Sequence, residues 1–84
     1  MPDSHDEVLA RLIAYLDENL EEKPSAPIAP SSTLQGDLRL DSIQSFEMVA
    51  DLEDHYDVSI SLDEFQSVQT VGDVARLVSE VIAR

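Results

Sequence analysis

Residues 38–57 read Leu38-Arg39-Leu40-Asp41-Ser42-Ile43-Gln44-Ser45-Phe46-Glu47-Met48-Val49-Ala50-Asp51-Leu52-Glu53-Asp54-His55-Tyr56-Asp57, and the fold follows from this stretch. Asp41 is a short acceptor side chain of the kind that caps a helix, and Gln44, three residues on, can return a hydrogen bond to the capping residue's own N–H. Ser42, Ile43 and Gln44 then become the first three helical positions, and the pattern predicts a helix over about 42–57. At about 100° per residue, with Ser42 at zero, Met48, Leu52, Tyr56 and Val49 fall between about 240° and 340°. Phe46, Ala50 and Ile43 follow at about 40°, 80° and 100°, with Asp54, Glu47 and Asp51 beside them at about 120°, 140° and 180°. Core packing needs an apolar stripe only somewhat wider than about 100°, so one apolar edge is surplus. Set against an acidic strip, that edge has the layout of a docking surface, with burial for affinity and charge for steering. Alternatively, Ile43 and Phe46 pack beneath a neighbouring loop and the acids are ordinary solvated residues.

On the N-terminal side, residues 24–33 hold Pro24, Pro27 and Pro30 and little periodicity, reading as a long crossing loop over about 24–40 pinned by Ile28, Leu34, Leu38 and Leu40. Before it, Val8, Leu9, Leu12, Ile13, Leu16 and Leu20 recur at helical spacing, predicting a helix over about 4–22. Asp3 or Ser4 is its expected cap, and Pro24 restricts the residue before it, so the end is expected near Glu22 or Lys23. On the C-terminal side, Val58-Ser-Ile-Ser-Leu alternates but is too short and isolated for a sheet; Ile60 and Leu62 read as anchors of a connector. A short helix is expected over about 62–68, with Phe65 and Val68 inward. A last helix over about 71–83 is capped by Thr70 with Asp73 as its box partner, and Val71, Val74, Leu77, Val78, Val81 and Ile82 form its buried face. The expected fold is all-α, a small four-helix bundle with three main helices and one short one, forming a single domain over 1–84.

Eighteen acidic residues against five basic ones give a formal net charge of -13. Nucleic acid is a poor partner for such a chain, because phosphate binding draws on positive charge. A basic protein is the natural complement, although acidity also serves plain solubility. The acids are unevenly spread: residues 37–64 hold nine carboxylates against Arg39 alone, whereas 65–84 balance two acids with two arginines. That bias points to the centre of the chain as the contact surface. There is no cysteine, so disulfides and thiolate chemistry are excluded. His5 and His55 lack zinc-site spacing. No apolar run approaches the roughly 20 residues that span a bilayer, and the N-terminal residues are acidic where a signal peptide is basic. A monomer in the cytoplasm, without membrane insertion, is the default expectation.

Ser42 is the one position with a specific chemical case. Exposed amides and the helix dipole at that end favour a phosphate, although the nearby carboxylates oppose it and a serine in a capping region is commonplace. A hydrolase reading is weaker still. His55 lies roughly 20 Å farther along the same helix, His5 falls in the first turn of another, and no glycine-rich oxyanion loop is visible. The acids also lack the oxygen-ligand spacing and central glycine of an EF-hand.

The run Leu38-Arg39-Leu40-Asp41-Ser42-Ile43, followed by the acidic helix to Asp57-Val58-Ser59-Ile60, resembles the acyl carrier protein family, whose signature is an aspartate-serine-leucine triplet at the head of the second helix. The resemblance covers the chain from about residue 5 to 83. It implies a protein without catalytic residues or a metal of its own. Ser42 would carry a covalent 4′-phosphopantetheine from coenzyme A, and acyl groups would ride as thioesters on the arm's thiol. Asp41 would assist the modifying phosphopantetheinyl transferase. Ile43, Phe46, Glu47, Ala50, Asp51, Glu53 and Asp54 would meet acyl ligases, synthases and acyltransferases through basic docking patches. Met48, Leu52, Tyr56 and Ile60 would line the core and, in acyl-sequestering members, the pocket. Departures from the family pattern are Arg39 and Leu40 where glycine and a small residue are common, Ile43 for leucine, and Gln44 and His55 for acids. Phe46 stands where an aliphatic residue is usual. They fit a specialised carrier in lipid, fatty-acid or polyketide-type biosynthesis. An aminoacyl or peptidyl carrier, or an acidic interaction module without a prosthetic group, are the alternatives.

Overall fold

The computed structural model describes residues 5–20, 24 and 27–83. The chain forms α1 (His5–Asn19), α2 (Ser42–Tyr56), α3 (Leu62–Gln66) and α4 (Val71–Ala83), with no sheet among the described residues. The all-α bundle of three main helices and one short helix is the architecture that the hydrophobic periodicity predicts.

Each long helix contributes one buried stripe. On α1, Val8, Leu12 and Leu16 are spaced by four and fully buried, because residues four apart share one helix face. They pack side by side with α4, whose Val71, Val74, Ala75 and Val78 form the facing stripe. Met48 and Leu52 of α2 enter the same cluster, as do Leu34, Leu38 and Leu40 from the crossing loop. Ile28, Tyr56, Ile60, Phe65 and Val68 pack against its margin. The expected cap of α1 at Asp3 or Ser4, and its expected end at Glu22 or Lys23, lie outside the described residues. The described helix closes at Asn19, whose side-chain amide donates to the Tyr15 carbonyl at 2.8 Å.

α3 is shorter than the 62–68 expectation. Ser61 caps it, accepting the Glu64 N–H at 3.1 Å, and Ser67 ends it, its hydroxyl donating to the Glu64 carbonyl at 2.8 Å. Ser and Asp side chains that bond the local backbone compete with helix continuation.

The loop is sewn to the start of α4. Leu34 N–H donates to the Gln69 carbonyl at 2.9 Å, Val71 N–H to Ser32 at 3.0 Å and Gly72 N–H to Pro30 at 2.9 Å. Thr33 and Thr70 form an isolated antiparallel bridge between the same segments. The first N–H groups of a helix have no partner inside it; here the loop carbonyls satisfy two of them. The third is satisfied by Thr70 Oγ1, which accepts the Asp73 N–H at 3.1 Å, while Asp73 Oδ2 accepts from Thr70 N–H at 3.2 Å and Gln69 N–H at 3.1 Å. The Thr70–Asp73 capping box expected from sequence is therefore formed. A Cβ at Gly72 would stand 3.1 Å from the Pro30 carbonyl oxygen, tighter than an ordinary contact, so a side chain there would have to push the loop outward by a few tenths of an ångström.

The Asp73 carboxyl is held below its ordinary pKa, chiefly by the bond from Gln69 N–H, with desolvation opposing and Thr70 and Arg76 adding to it. A depressed native pKa means its stabilisation is present above the unfolded carboxyl value and lost as pH falls through the native one. Asp73→Ala is expected to lower neutral-pH stability by about 1 kcal/mol, the worth of a helix cap. It should also flatten the decline below about pH 4, read by urea titrations across pH. Gly72→Leu is expected to cost roughly 1–3 kcal/mol through overpacking against Pro30, read as a lower urea midpoint at unchanged slope.

Candidate functional site

The head of α2 is fixed by a reciprocal pair of bonds. Asp41, extended at φ −89° and ψ −179°, accepts the Gln44 N–H on Oδ1 at 2.7 Å, and Gln44 Oε1 accepts the Asp41 N–H at 3.2 Å. Both halves of the capping box read from sequence are present, and they hold the backbone on either side of Ser42. Ser42 itself is the first helical residue, exposed, with no hydrogen-bond partner for its hydroxyl among the described residues. Two residues before the cap, Arg39 adopts φ 55°. This left-handed conformation costs a side-chain-bearing residue roughly 1–2 kcal/mol, which gives a physical reason for glycine to be common there in proteins of the resembled family.

Ser42 and Asp41 stand on the wall of an open groove of about 690 Å³ bounded by the turn at 33–36 and the first turns of α2 and α3. Its lining is mixed. Phe46, Leu62 and Phe65 give apolar surface, and Gln35, Gln66 and Gln69 bring side-chain amides. A hydroxyl without an internal partner, at a helix N-terminus and beside a groove with amide and apolar walls, fits a covalently attached, amide-containing phosphodiester arm. The dipole of α2 favours the phosphate's charge at this end.

Along α2 the exposed edge is as the helical wheel places it. Ile43 is 70% exposed and Phe46 51%, and Ala50 is exposed beside them. The alternative in which Ile43 and Phe46 are packed beneath the crossing loop does not hold; Leu34, Leu38 and Leu40 already fill the core from that side.

The acidic strip, by contrast, is not uniform. Glu47 and Asp54 are exposed. Asp51 lies 3.6 Å from the Arg11 guanidinium and ties α2 to α1, with Asp51 Oδ2 and Arg11 Nε screened from solvent and without hydrogen bonds. Tyr15, nearby on α1, has its pKa raised by burial first and then by the Asp51 and Glu47 charges. Glu53 is half-buried and turned to the connector, where its Oε2 accepts the Ile60 N–H at 2.8 Å.

Met48 and Leu52, each 1% exposed, lie in the closed core. Tyr56 is half-buried against that core, its ring edge-on to His55 at 4.6 Å between centroids. Of the four residues expected to line the core or an acyl pocket, Ile60 lines a surface hollow beside Val49 and Phe65. No group of three or more His, Cys, Asp or Glu side chains that could hold a metal exists among the described residues, and no helix among them is long and apolar enough to cross a membrane. The Arg11–Asp51 pair and the Glu53–Ile60 bond had no signal in the sequence beyond Arg11 being the sole arginine or lysine within α1.

Comparison with known proteins agrees with this geometry. The family model described as the phosphopantetheine attachment site matches residues 9–78. An acyl carrier protein of Streptomyces coelicolor is 32% identical over 85 aligned residues, covering 99% of this chain and 92% of that protein. Acyl carrier protein 2 of Ralstonia nicotianae is 35% identical over 92% of this chain and 94% of its own. Among solved structures, a proposed acyl carrier protein of Mycobacterium tuberculosis superposes with a TM-score of 0.70 at 28% identity, covering 92% of this chain and 97% of that one.

The acids of α2 should separate by mutation. Glu53→Ala leaves the half-buried Ile60 N–H without its acceptor and is expected to lower stability by about 1–3 kcal/mol. Asp54→Ala should stay within about 0.5 kcal/mol of the parent. Chemical denaturation of the two variants checks both values.

Proposed function

Because the chain belongs to the phosphopantetheine attachment-site family, matched over residues 9–78, and is a carrier protein rather than an enzyme, we propose that Ser42 is the covalent attachment point of a 4′-phosphopantetheine arm derived from coenzyme A. The cargo in this reading is an acyl group, held as a thioester for fatty-acid, specialised lipid or polyketide-type biosynthesis in the cytoplasm. The single observation that carries it is the setting of Ser42. An exposed hydroxyl without an internal partner among the described residues sits within the Asp41–Gln44 capping box, on the wall of the groove.

The arm supplies the terminal thiol that a chain without cysteine lacks. The protein's own residues do the rest. In the modifying step the Ser42 oxygen forms a bond to the phosphorus of coenzyme A that carries pantetheine, the bond to the nucleotide phosphate breaks, adenosine 3′,5′-bisphosphate leaves and the hydroxyl proton is released. Asp41 fixes the backbone from which Ser42 projects and presents a carboxylate beside it to the transferase. The N-terminal end of α2 would favour the charge of a phosphodiester on Ser42.

Partner enzymes with basic docking patches would meet α2. Glu47 and Asp54 offer exposed negative charge and Ile43, Phe46 and Ala50 offer exposed apolar surface. Asp51 and Glu53 are engaged inside the fold and contribute mainly to the field.

Incubation with coenzyme A, Mg²⁺ and a phosphopantetheinyl transferase is expected to raise the intact mass by one phosphopantetheine. Ser42→Ala should remain folded by circular dichroism and gain nothing. An unmodified parent, or a Ser42→Ala variant that still takes the arm, contradicts the assignment. Glu47→Lys is expected to lower the transferase's kcat/KM by about 10-fold or more at low salt, with the deficit shrinking as ionic strength rises.

A further inference from the structure

A second, smaller hollow of about 270 Å³ lies farther along α2, walled by Val49, Ile60 and the Glu53 and Ser61 side chains. It shares three residues with the groove at Ser42: Phe46, Leu62 and Phe65 line both. These three side chains therefore stand at the boundary of two adjoining spaces. Phe46 and Leu62 approach that boundary from different helices and are each 51% exposed, so the boundary is built at the surface and does not belong to the closed core. On α2, Phe46 is the residue that the two hollows share; it lies one helical turn from Ser42, about 6 Å along the axis, whereas Val49 and Glu53 of the smaller hollow lie about 10 and 16 Å along it.

Resting on the carrier reading of Ser42, we propose that Phe46, with Leu62 and Phe65, is a specificity-determining partition that sets how long an acyl chain this protein can shelter. A chain tethered at Ser42 lies against the larger groove and stops at the phenyl ring. The smaller hollow, whose Val49 and Ile60 walls suit further methylenes, stays out of reach. Short acyl groups are protected, and the distal carbons of longer ones remain in solvent.

The test loads the full chain and the variants Phe46→Ala and Phe46→Leu with a graded series of straight-chain acyl groups, transferred from the acyl-coenzyme A thioesters by a permissive phosphopantetheinyl transferase. Intact mass establishes loading. Two properties are then read: the rate of thioester cleavage by hydroxylamine and the backbone amide shifts of Val49 and Ile60. In the parent, the rate should fall with chain length and then level off, with those amides unmoved. In Phe46→Ala it should go on falling at longer lengths, by up to about fourfold for each further methylene withdrawn from water, the equivalent of ~0.8 kcal/mol. The Val49 and Ile60 amides should then shift, and Phe46→Leu should fall between. Superimposable length profiles for parent and Phe46→Ala, or Val49 and Ile60 shifts already present in the long-chain parent, overturn the partition while leaving the carrier reading intact. Absence of any mass gain overturns both.

Discussion

The backbone seam between the crossing loop and the start of α4 is the constraint on which the site depends. Pro30, Ser32 and Leu34 exchange hydrogen bonds with Gln69, Val71 and Gly72, and this fixes the path of a segment that has no helix of its own. A proline-containing loop would otherwise carry much conformational freedom into the bundle. Once it is tied down, Leu34, Leu38 and Leu40 reach the core, and Asp41 arrives where it can cap α2. The position of Ser42 is therefore set from two sides, by the seam upstream and by the capping box at its own helix.

Placement of this kind suits a carrier. A residue that is to be modified by one enzyme and visited by several must be reachable, and Ser42 stands on the surface while the backbone on either side of it is held by the capping box. The surface around it divides by energetic role more finely than by charge. Glu47 and Asp54 are exposed and suited to steering encounter, which depends on long-range field more than on fixed contacts. Asp51 and Glu53 hold helix to helix and helix to connector. A partner docking on α2 would thus read a field made by all four acids and touch chiefly Glu47 and Asp54.

What the sequence discloses is what is local. Asp41 with Gln44, and Thr70 with Asp73, are bonds between residues three apart, and both are formed as their spacing predicts. The helical wheel of α2 separates buried Met48 and Leu52 from exposed Ile43 and Phe46, because 3.6-residue geometry is nearly context-free. Contacts between distant segments are a different matter. Nothing in the sequence says that Arg11 lies beside Asp51, that Glu53 turns to Ile60, or that Gly72 packs closely against the Pro30 carbonyl. The acidic strip reads as uniform for the same reason, since tertiary partners distinguish its members. Met48 and Leu52 meet a similar limit: family likeness marks an inward-facing position without saying whether the core there is closed.

The central claim is covalent and is tested most directly on protein isolated from its native cell. Cleavage after arginine releases a peptide running from Leu40 to Arg76, which contains Ser42, Ser45 and the later serines. Fragmentation of that peptide should locate one phosphopantetheine, free or acylated, on Ser42. A peptide that is bare in every preparation, or an arm found on Ser45 or any other residue, would contradict the account.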